Sequence, residues 1–356
     1  MKYQEFLSQF SSESITRTSS RNFSTNKIHI DQSALNIDEK VFSMFEEYAK
    51  KNNFIENFNE LMSGERLNNT ENRAVTHFKY RDAKSDIYEA SLNKMEKLAF
   101  EIKSRFKKIL IFGIGGSYLG PKLMNDIFSS QDIEIDFITG SDSAEYQNYM
   151  KQDLSDYAFI ITSKSFSTIE TLTSYSAITK GKLQDQTFAV TSAVNKAEAF
   201  GIDSNNIAQV DLGTGGRFSI WSAVNLGLFI SLGRHGFENL LSGAKSIDDL
   251  SSTDVNSNPA LSLAIQDLIM NNVLEMDSTL ILNYDYKLRN FSSYAQQLEM
   301  ESLGKSIDRD TGQALSYDTG SIVWGGYGPR SQHSFFQHLF QGTKEANTYF
   351  IVSKTY

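Results

Sequence analysis

Residues 109–121 read ILIFGIGGSYLGP, and this stretch is the first indication of the fold class. A short apolar run passes directly into a glycine-rich loop, which predicts a buried strand followed by a tight turn into a helix. Further short apolar runs stand at residues 133–139, 158–162, 187–191 and 208–211, with stretches of helix length between them. Buried strands that alternate with helices are typical of βαβ units, so we predict a parallel sheet with helices on both faces.

The rest of the chain predicts a helical segment before this sheet and a second, shorter α/β region after it. Residues 38–62 and 84–105 carry apolar residues at helical spacing, and residues 279–284 (TLILNY) form a further strand candidate. Gly233 and Gly236 can end the helix predicted at 220–232, which places the boundary between two domains near residues 235–255.

The predicted domain limits follow from these patterns. They are an N-terminal arm and helices at 1–95 that pack on the second domain, a phosphate-binding α/β domain at 96–240, and a second α/β domain at 241–356. Residues 11–26, which are rich in Ser, Thr, Arg and Asn, are predicted to be irregular.

Composition excludes several classes of protein. Of 356 residues, 40% are apolar and 12% aromatic, which excludes general disorder, and the net charge of −9 argues against a nucleic-acid binder. The absence of cysteine removes disulfides, thiolate zinc sites and iron–sulfur clusters, and it fits a reduced, cytoplasmic compartment. No apolar run approaches the length of a membrane span, and none of the five histidines lies in a zinc-binding H-E-x-x-H pattern. We therefore predict no membrane segment and no metal.

Two loops follow neighbouring predicted strands and suit an anion. The loop at 113–121 fits neither the dinucleotide fingerprint, because Tyr118 stands where the third glycine belongs, nor a Walker loop; a tight turn without ligand remains the alternative. The loop at 163–171 (SKSFSTIET) has four hydroxyls within six residues, which can cap the next helix or bind phosphate oxygens. Both loops would line one crevice at the switch point of a doubly wound sheet.

Three later segments carry groups suited either to stabilising negative charge or to proton transfer. Arg217 follows paired glycines in GTGGRFS at 213–219, where it is either a surface cation or a fixed charge opposite a developing oxyanion. Gln297 and Glu301 share one face of a helix that Gly304 closes, although a solvated carboxylate is the ordinary interpretation of such a Glu.

The histidines separate into one candidate and four others. A glycine-rich loop at 325–333 delivers His333 to the start of an apolar helix, which suits a group that titrates near neutrality. We expect structural roles for the remaining four: His29, His77, His235 and His338.

Taken together and in order, six segments resemble the glucose-6-phosphate isomerase family. They are residues 64–77, 113–121, 163–171, 215–219, 297–305 and 332–343. The resemblance implies an α/β fold of two sugar-isomerase-type, doubly wound domains with mainly parallel sheets flanked by helices. It further implies a cytoplasmic homodimer that interconverts glucose 6-phosphate and fructose 6-phosphate in glycolysis and gluconeogenesis, with no cofactor, metal, nucleic acid or membrane involved.

The same resemblance assigns roles to individual residues. Those that would bind the substrate are Gly116, Ser117, Ser163, Lys164, Ser165, Thr168 and Gln297. Glu301 would be the base that moves a proton between C2 and C1 through a cis-enediolate, and Arg217 would stabilise the negative charge. His333, paired with Glu170, would assist ring opening and would reach the site from the neighbouring subunit.

The sequence departs from the family pattern in three places. Leu303 replaces an asparagine, and Pro329-Arg330-Ser331 replaces Thr-Asn-Gly, both beside expected catalytic positions. The resemblance also implies a C-terminal helix whose lysine assists ring opening, and we find no counterpart of that lysine before Tyr356. An alternative hypothesis is therefore a catalytically impaired sugar-phosphate-binding protein, and a dinucleotide-dependent enzyme is a third.

Overall fold

The structure is a computed structural model that describes residues 2–10, 21–25, 28–35, 37–65, 67–68, 70–128 and 132–354. The chain divides into two compact units, each named here after its parallel sheet. The five-stranded unit comprises Val75–Lys245 and Tyr286–Gln297, and the three-stranded unit comprises Met1–Ala74, Ser246–Asp285 and Leu298–Tyr356. The domain limits derived from the sequence stay a prediction.

The sheet of the five-stranded unit is parallel throughout. Its strands are β1 (Lys108–Phe112), β2 (Glu134–Ile138), β3 (Tyr157–Thr162), β4 (Thr187–Thr191) and β5 (Ile207–Gln209). Their spatial order is β2-β1-β3-β4-β5, which is a doubly wound arrangement with its switch point between β1 and β3. The predicted α/β class with mainly parallel sheets is confirmed.

Strand β1 shows why an apolar run forms a central strand here. Successive side chains point to opposite faces of a sheet. Ile109 and Ile111 therefore enter one hydrophobic core, whereas Leu110 and Phe112 enter the other, and all four are almost completely buried. A strand buried on both faces needs apolar residues at every position, which is what the sequence supplies.

Helices cover this sheet at the predicted intervals. Their bounds are Asp86–Arg105, Leu119–Phe128, Ser143–Tyr146, Ile169–Thr179, Val194–Ala199 and Leu226–Ser251, the last extending into the three-stranded unit. Ser85 begins the first of them by accepting a hydrogen bond from Ile87 N. The last helix is interrupted at Gly233 (φ +69°), but it continues past Gly236, so only the first of the two predicted glycine stops breaks the helix.

The three-stranded unit has a smaller parallel sheet. Strands β6 (Ser278–Asn283), β7 (Ile322–Tyr327) and β8 (Asn347–Ile351) are arranged in the order β7-β6-β8. Two short antiparallel pairs join Asn22–Ser24 to His29–Asp31 and Leu67–Asn68 to Arg73–Ala74. The helices are Tyr3–Leu7, Glu39–Lys51, Phe54–Ser63, Pro259–Asn272, Gly328–Gln332 and Phe336–Gln341, and helix Phe291–Leu303 crosses from the other unit.

The prediction of a glycine-rich loop before His333 is wrong for the first part of that segment. Gly325 and Gly326 lie inside strand β7 and not in a loop. Gly325 pairs with Ile281 of β6, and a Cβ at Gly325 would lie 2.0 Å from the Ile281 carbonyl oxygen. The glycine is therefore required by the close approach of two backbones within a sheet, which a turn signal in the sequence does not distinguish.

The N-terminal segment is only partly described. Of the arm predicted to be irregular, residues 11–20 and 26 lie outside the described residues, and residues 22–24 form a short strand. Among the described residues, no helix combines the length and apolar character that crossing a membrane requires.

Candidate active site

Two of the predicted ligand loops begin side by side at the carboxyl ends of neighbouring strands in the five-stranded sheet. Strands β1 and β3 are neighbours, and Phe112 at the end of β1 pairs with Ile161 near the end of β3. The loop that starts at Gly113 and the loop that starts at Ser163 therefore leave the sheet at its switch point. In doubly wound folds this crevice outside the carboxyl ends of the strands is where ligands bind.

The loop after β3 uses its hydroxyls to bind one another and not to cap the following helix. Ser163 Oγ lies 2.9 Å from Thr168 Oγ1, and Ser167 donates to Ser165 Oγ at 2.8 Å. Thr168 is the N-cap residue of helix Ile169–Thr179, yet its side chain makes no capping hydrogen bond. The capping alternative is thus not realised, and the backbone N–H groups of the first helical turn stay available to an anion.

A buried aromatic residue holds this loop in shape. Phe166 adopts a left-handed backbone conformation (φ +47°), is 4% exposed, and packs 5.6 Å from the Phe200 ring. A non-glycine residue at positive φ costs about 1 kcal/mol, which burial of the ring offsets. The backbone is also tied to the end of β4, because Ser163 N donates to the Val190 carbonyl at 3.0 Å. The sequence pattern did not predict a role for Phe166, whose only signal is a large apolar residue among hydroxyls.

The loop after β1 lies directly against the turn that carries Arg217. Residues Gly115–Ser117 form a short 3-10 helix in which Gly115 has φ +57°. A Cβ at Gly116 would lie 2.2 Å from the Gly216 carbonyl oxygen and 2.7 Å from Arg217 N. Such distances exclude any side chain, so the two backbones meet only because residue 116 is glycine.

Arg217 is half-buried at the start of the 3-10 helix Gly216–Trp221. Its Cζ lies 4.8 Å from the centre of the neighbouring Phe218 ring, a cation–π contact. The structure thus brings Gly116, Ser117 and Arg217 into adjoining turns within one unit.

Gln297 also belongs to this unit. Its Nε2 lies 3.0 Å from the position that a Cβ at Gly115 would take. The start of the helix that carries Gln297 is fastened by Asp126, a buried carboxylate that pairs with Arg289 and accepts from Asn290 Nδ2, each at 2.5 Å. Burial also raises the pKa of Tyr294 on this helix to about 12, so its hydroxyl stays protonated.

Thr76 and His77 also lie against this site, although the sequence pattern predicted no role in the chemistry for either residue. Thr76 N donates to the Gly213 carbonyl at 3.2 Å, and the His77 ring stacks on Phe218 with centres 4.9 Å apart. Burial, with a smaller contribution from the Arg81 charge, lowers the pKa of His77 to about 4. His77 is therefore neutral at pH 7. Its signal in the sequence was the family-like segment at 64–77.

The predicted base and ring-opening histidine lie in the three-stranded unit. Glu301 is exposed in the last turn of helix Phe291–Leu303, the helix that also carries Gln297. Gly304 N donates to the Met300 carbonyl at 2.8 Å, and Lys305 Nζ donates to the backbone carbonyl of Glu301, which closes the helix as predicted.

His333 is exposed directly after helix Gly328–Gln332, and its N–H donates to the Arg330 carbonyl at 3.2 Å. In the five-stranded unit, Glu170 is exposed in the first turn of helix Ile169–Thr179, where a carboxylate is favourable to the helix dipole. The other histidines differ among themselves, since His29, His235 and His338 are exposed whereas His77 is packed.

The described part of the chain contains no group of three or more His, Asp or Glu side chains arranged to hold a metal ion. The residues described above can form hydrogen bonds, bind anions and transfer protons. Hydroxyls, a helix N-terminus and a guanidinium are suited to phosphate and to oxyanions, and a carboxylate and an imidazole are suited to moving protons.

Comparison with known proteins gives concordant matches. The family model described as Phosphoglucose isomerase matches residues 31–355. A glucose-6-phosphate isomerase of Christiangramia forsetii is 34% identical over 91% of this chain and 65% of its own length. One from Wigglesworthia glossinidia brevipalpis is 35% identical over 82% of this chain and 59% of its own. The chain therefore spans 59–65% of the length of these curated relatives.

A solved structure matches over nearly the whole chain. The crystal structure of a glucose-6-phosphate isomerase from Chlamydia trachomatis has a TM-score of 0.84 to this structure at 26% sequence identity. The match covers 98% of this chain and 74% of that one.

Proposed function

We propose that this chain, which belongs to the phosphoglucose isomerase family, catalyses the reversible aldose–ketose isomerisation of glucose 6-phosphate and fructose 6-phosphate. The observation that carries the proposal is the hydroxyl-lined, uncapped start of helix Ile169–Thr179 at the switch point of the sheet, where an anion can bind. The neighbouring strand β1 leads to Gly116, which lies against the turn that carries Arg217.

The phosphate of the substrate would bind at the loop after β3. Ser163, Ser165 and Thr168 supply hydroxyls, and the first helical turn supplies N–H donors. Lys164 adds a positive charge from the same loop. Hydrogen bonds to a charged group contribute about 1.5–3 kcal/mol each, so a few of them suffice to anchor a sugar phosphate.

Proton transfer would then take place at the other end of the sugar. In the open-chain aldose, the Glu301 carboxylate removes the proton from C2, whose electron pair forms the C1–C2 double bond while the C1 carbonyl becomes an oxyanion. Glu301 returns the proton to C1, and the hydroxyl proton on O2 passes to O1 as the ketone forms. The Arg217 guanidinium stabilises the negative charge of the enediolate. The sugar is oriented by Gln297 and by the backbone of Gly116–Ser117.

Ring opening precedes this step and needs a different group. We assign it to His333 with Glu170, because an imidazole can hold or release a proton near neutral pH. The proposal includes a cytoplasmic homodimer in which His333 serves the neighbouring subunit's site. It requires neither a cofactor nor a metal.

A coupled isomerase assay on the purified chain, together with a measurement of 6-phosphogluconate binding, tests the proposal. We expect turnover in both directions, and we expect 6-phosphogluconate to inhibit competitively with substrate. Gluconate, which lacks the phosphate, is the matched control ligand and should not compete. Binding without turnover would favour the sugar-phosphate-binding alternative, and absence of both would refute the assigned phosphate site.

A further inference from the structure

The 3-10 helix His77–Arg81 and the residue before it support the turn that leads to Arg217. Thr76 Oγ1 donates to Asp211 Oδ1 at 2.7 Å and lies 2.9 Å from Thr214 Oγ1. Thr76 N also donates to the Gly213 carbonyl at 3.2 Å. Because Thr76 and Thr214 are buried, these bonds are protected from competition with water.

Two further bonds close the same turn. The Asp211 N–H donates to Tyr80 Oη at 2.9 Å, and the Gly213 N–H donates to Asp211 Oδ1 at 2.8 Å. The residues of the 3-10 helix thus bind the turn from a segment more than one hundred residues earlier in the chain. The consequence is a turn whose backbone has little freedom when it reaches Arg217.

The Arg217 side chain is connected to this segment through one aromatic ring. The Phe218 ring lies 4.9 Å from the His77 ring at an interplanar angle of 22°, and Arg217 Cζ lies 4.8 Å from the same Phe218 ring centre. The Phe218 ring also lies close to Gly215, because a Cβ at Gly215 would be 3.2 Å from its Cδ2 atom. The ring thus contacts His77, and the guanidinium packs on it.

The His77 ring supports the stack through its face. Within the described residues, buried His77 Nδ1 has no hydrogen-bond partner, so that nitrogen does not fix the ring. Three charged groups belong to these surroundings: Arg81 on the same element as His77, Arg217 on the Phe218 ring, and Asp211, which accepts from Thr76. The Arg81 charge disfavours a protonated His77 ring, so the neutral imidazole is the form that stacks.

We propose that Thr76, His77 and Phe218 are positioning residues that hold the Arg217 guanidinium in the one orientation it needs to stabilise the enediolate. The inference rests on the proposed function, in which Arg217 opposes that charge. An electrostatic group that is oriented before the reaction costs no reorganisation at the transition state, so loosening it lowers kcat more than it alters KM.

The first test is Phe218→Leu, which removes the ring and keeps an apolar side chain. We expect kcat to fall about tenfold while KM changes by less than about twofold. The matched control is Phe106→Leu. Arg105 Cζ lies 4.8 Å from the Phe106 ring centre, so this variant removes the same contact at the start of β1, away from the site. It should lower the melting temperature without a comparable loss of kcat.

A double-mutant cycle separates positioning from general damage. In an Arg217→Ala background, Phe218→Leu should cause no further loss of kcat, because the group it positions is gone. If the kcat of the double variant were reduced by the product of the two single-variant losses, the positioning role would be refuted. If Arg217→Ala alone left kcat unchanged, the proposed function of Arg217 would fail instead, so the two failures are distinguishable.

A rescue pair at position 77 completes the test. His77→Phe retains a ring that can stack on Phe218 and should keep kcat within about threefold, whereas His77→Leu should lower it about tenfold with KM little changed. Equal losses in both variants would show that stacking is not what His77 contributes, and the inference would be withdrawn.

Discussion

The two units hold their candidate site residues in different ways. In the five-stranded unit, Ser163 is 3% exposed, and the Gly116 backbone touches the Gly216 backbone, so the site is built into packed structure. In the three-stranded unit, Glu301 and His333 are exposed at helix ends. The parallel sheet there has only three strands, and both edge strands expose large apolar residues, Ile322 on β7 at 59% and Phe350 on β8 at 63%.

The roles proposed for these residues differ in the same way as their surroundings. Anion-binding groups are backbone donors and short hydroxyls, which a rigid sheet edge can position well. Glu301 and His333, the groups of the three-stranded unit that are proposed to move protons, are exposed side chains at the ends of helices. We infer that changes at the hydroxyl loop after β3 act on binding, whereas changes at Glu301 or His333, like changes at Arg217, act on turnover.

The largest expected effect is that of Glu301→Gln. We expect kcat to fall about 10²-fold or more, the range for losing an acid–base group, while the affinity for 6-phosphogluconate stays within about twofold. The comparison of the two units requires this separation. The control for loss of charge is Glu345→Gln, which changes an exposed carboxylate of the same unit and should leave kcat unchanged. Normal turnover of Glu301→Gln itself would remove Glu301 from the mechanism.

The second prediction is that titration of His77 makes the free energy of unfolding depend on pH. Its pKa is about 4 in the folded chain and 6.5 ordinarily, so the unfolded chain takes up its proton first as pH falls. The free energy of unfolding should therefore decrease between pH 6.5 and about 4, by about 3 kcal/mol at 1.36 kcal/mol per pKa unit. Urea unfolding at several pH values measures it.

The matched variants for that experiment are His77→Gln and His235→Gln. The first should lack this part of the pH dependence, and the second, which changes an exposed histidine of the same unit, should retain it. Parallel curves for wild type and His77→Gln would contradict the assignment. They would also weaken the view that the five-stranded unit builds its site from buried groups.

Gly116→Ala should have a smaller but clear effect on stability. A Cβ 2.2 Å from the Gly216 carbonyl oxygen forces two backbones apart, and overpacking of this kind costs about 1–3 kcal/mol. Thermal and urea unfolding measure the loss. The control is Gly216→Ala on the opposite turn, whose Cβ would meet nothing within 4 Å and should be nearly neutral for stability. Equal stability of the two variants would show that the turns do not meet.

Thr168→Val is expected to have the smallest effect, and it sharpens the division between binding and turnover. Replacing one hydroxyl at the phosphate loop should raise KM and weaken 6-phosphogluconate binding about tenfold, because a hydrogen bond to a charged group is lost. The control is Thr173→Val, an exposed position on the same helix. Should Thr168→Val lower kcat and leave KM unchanged, the loop would not be the phosphate site.

Much of the fold was predictable because its signals are local. The runs at 109–112, 158–162 and 187–191 correspond to β1, β3 and β4 with differences of at most one residue, since strands buried on both faces are continuously apolar. The prediction failed at Gly325. There a glycine that permits close approach of two strands was taken for a loop residue.

The candidate site was predictable only in part. Motif positions predicted Ser163, Thr168, Gly116 and Arg217 as site residues, and this remains a prediction. They did not predict that the Thr168 hydroxyl bonds Ser163 and leaves its helix uncapped. Phe166 and Thr76 were missed as supports. Their roles depend on partners distant in sequence or on a backbone conformation that residue type alone does not indicate.

The α/β class, the order of strands and loops along the chain, the absence of cysteine chemistry and the hydroxyl-rich loop follow from the sequence alone, because periodicity and residue type act locally. Which loops meet depends on the tertiary structure. The contact of Gly116 with Gly216, the bonds of Thr76 to Asp211 and the stack of His77 on Phe218 join residues about one hundred or more positions apart. Such pairs form only when packing of the sheet and its helices brings them together, and no local propensity encodes that distance.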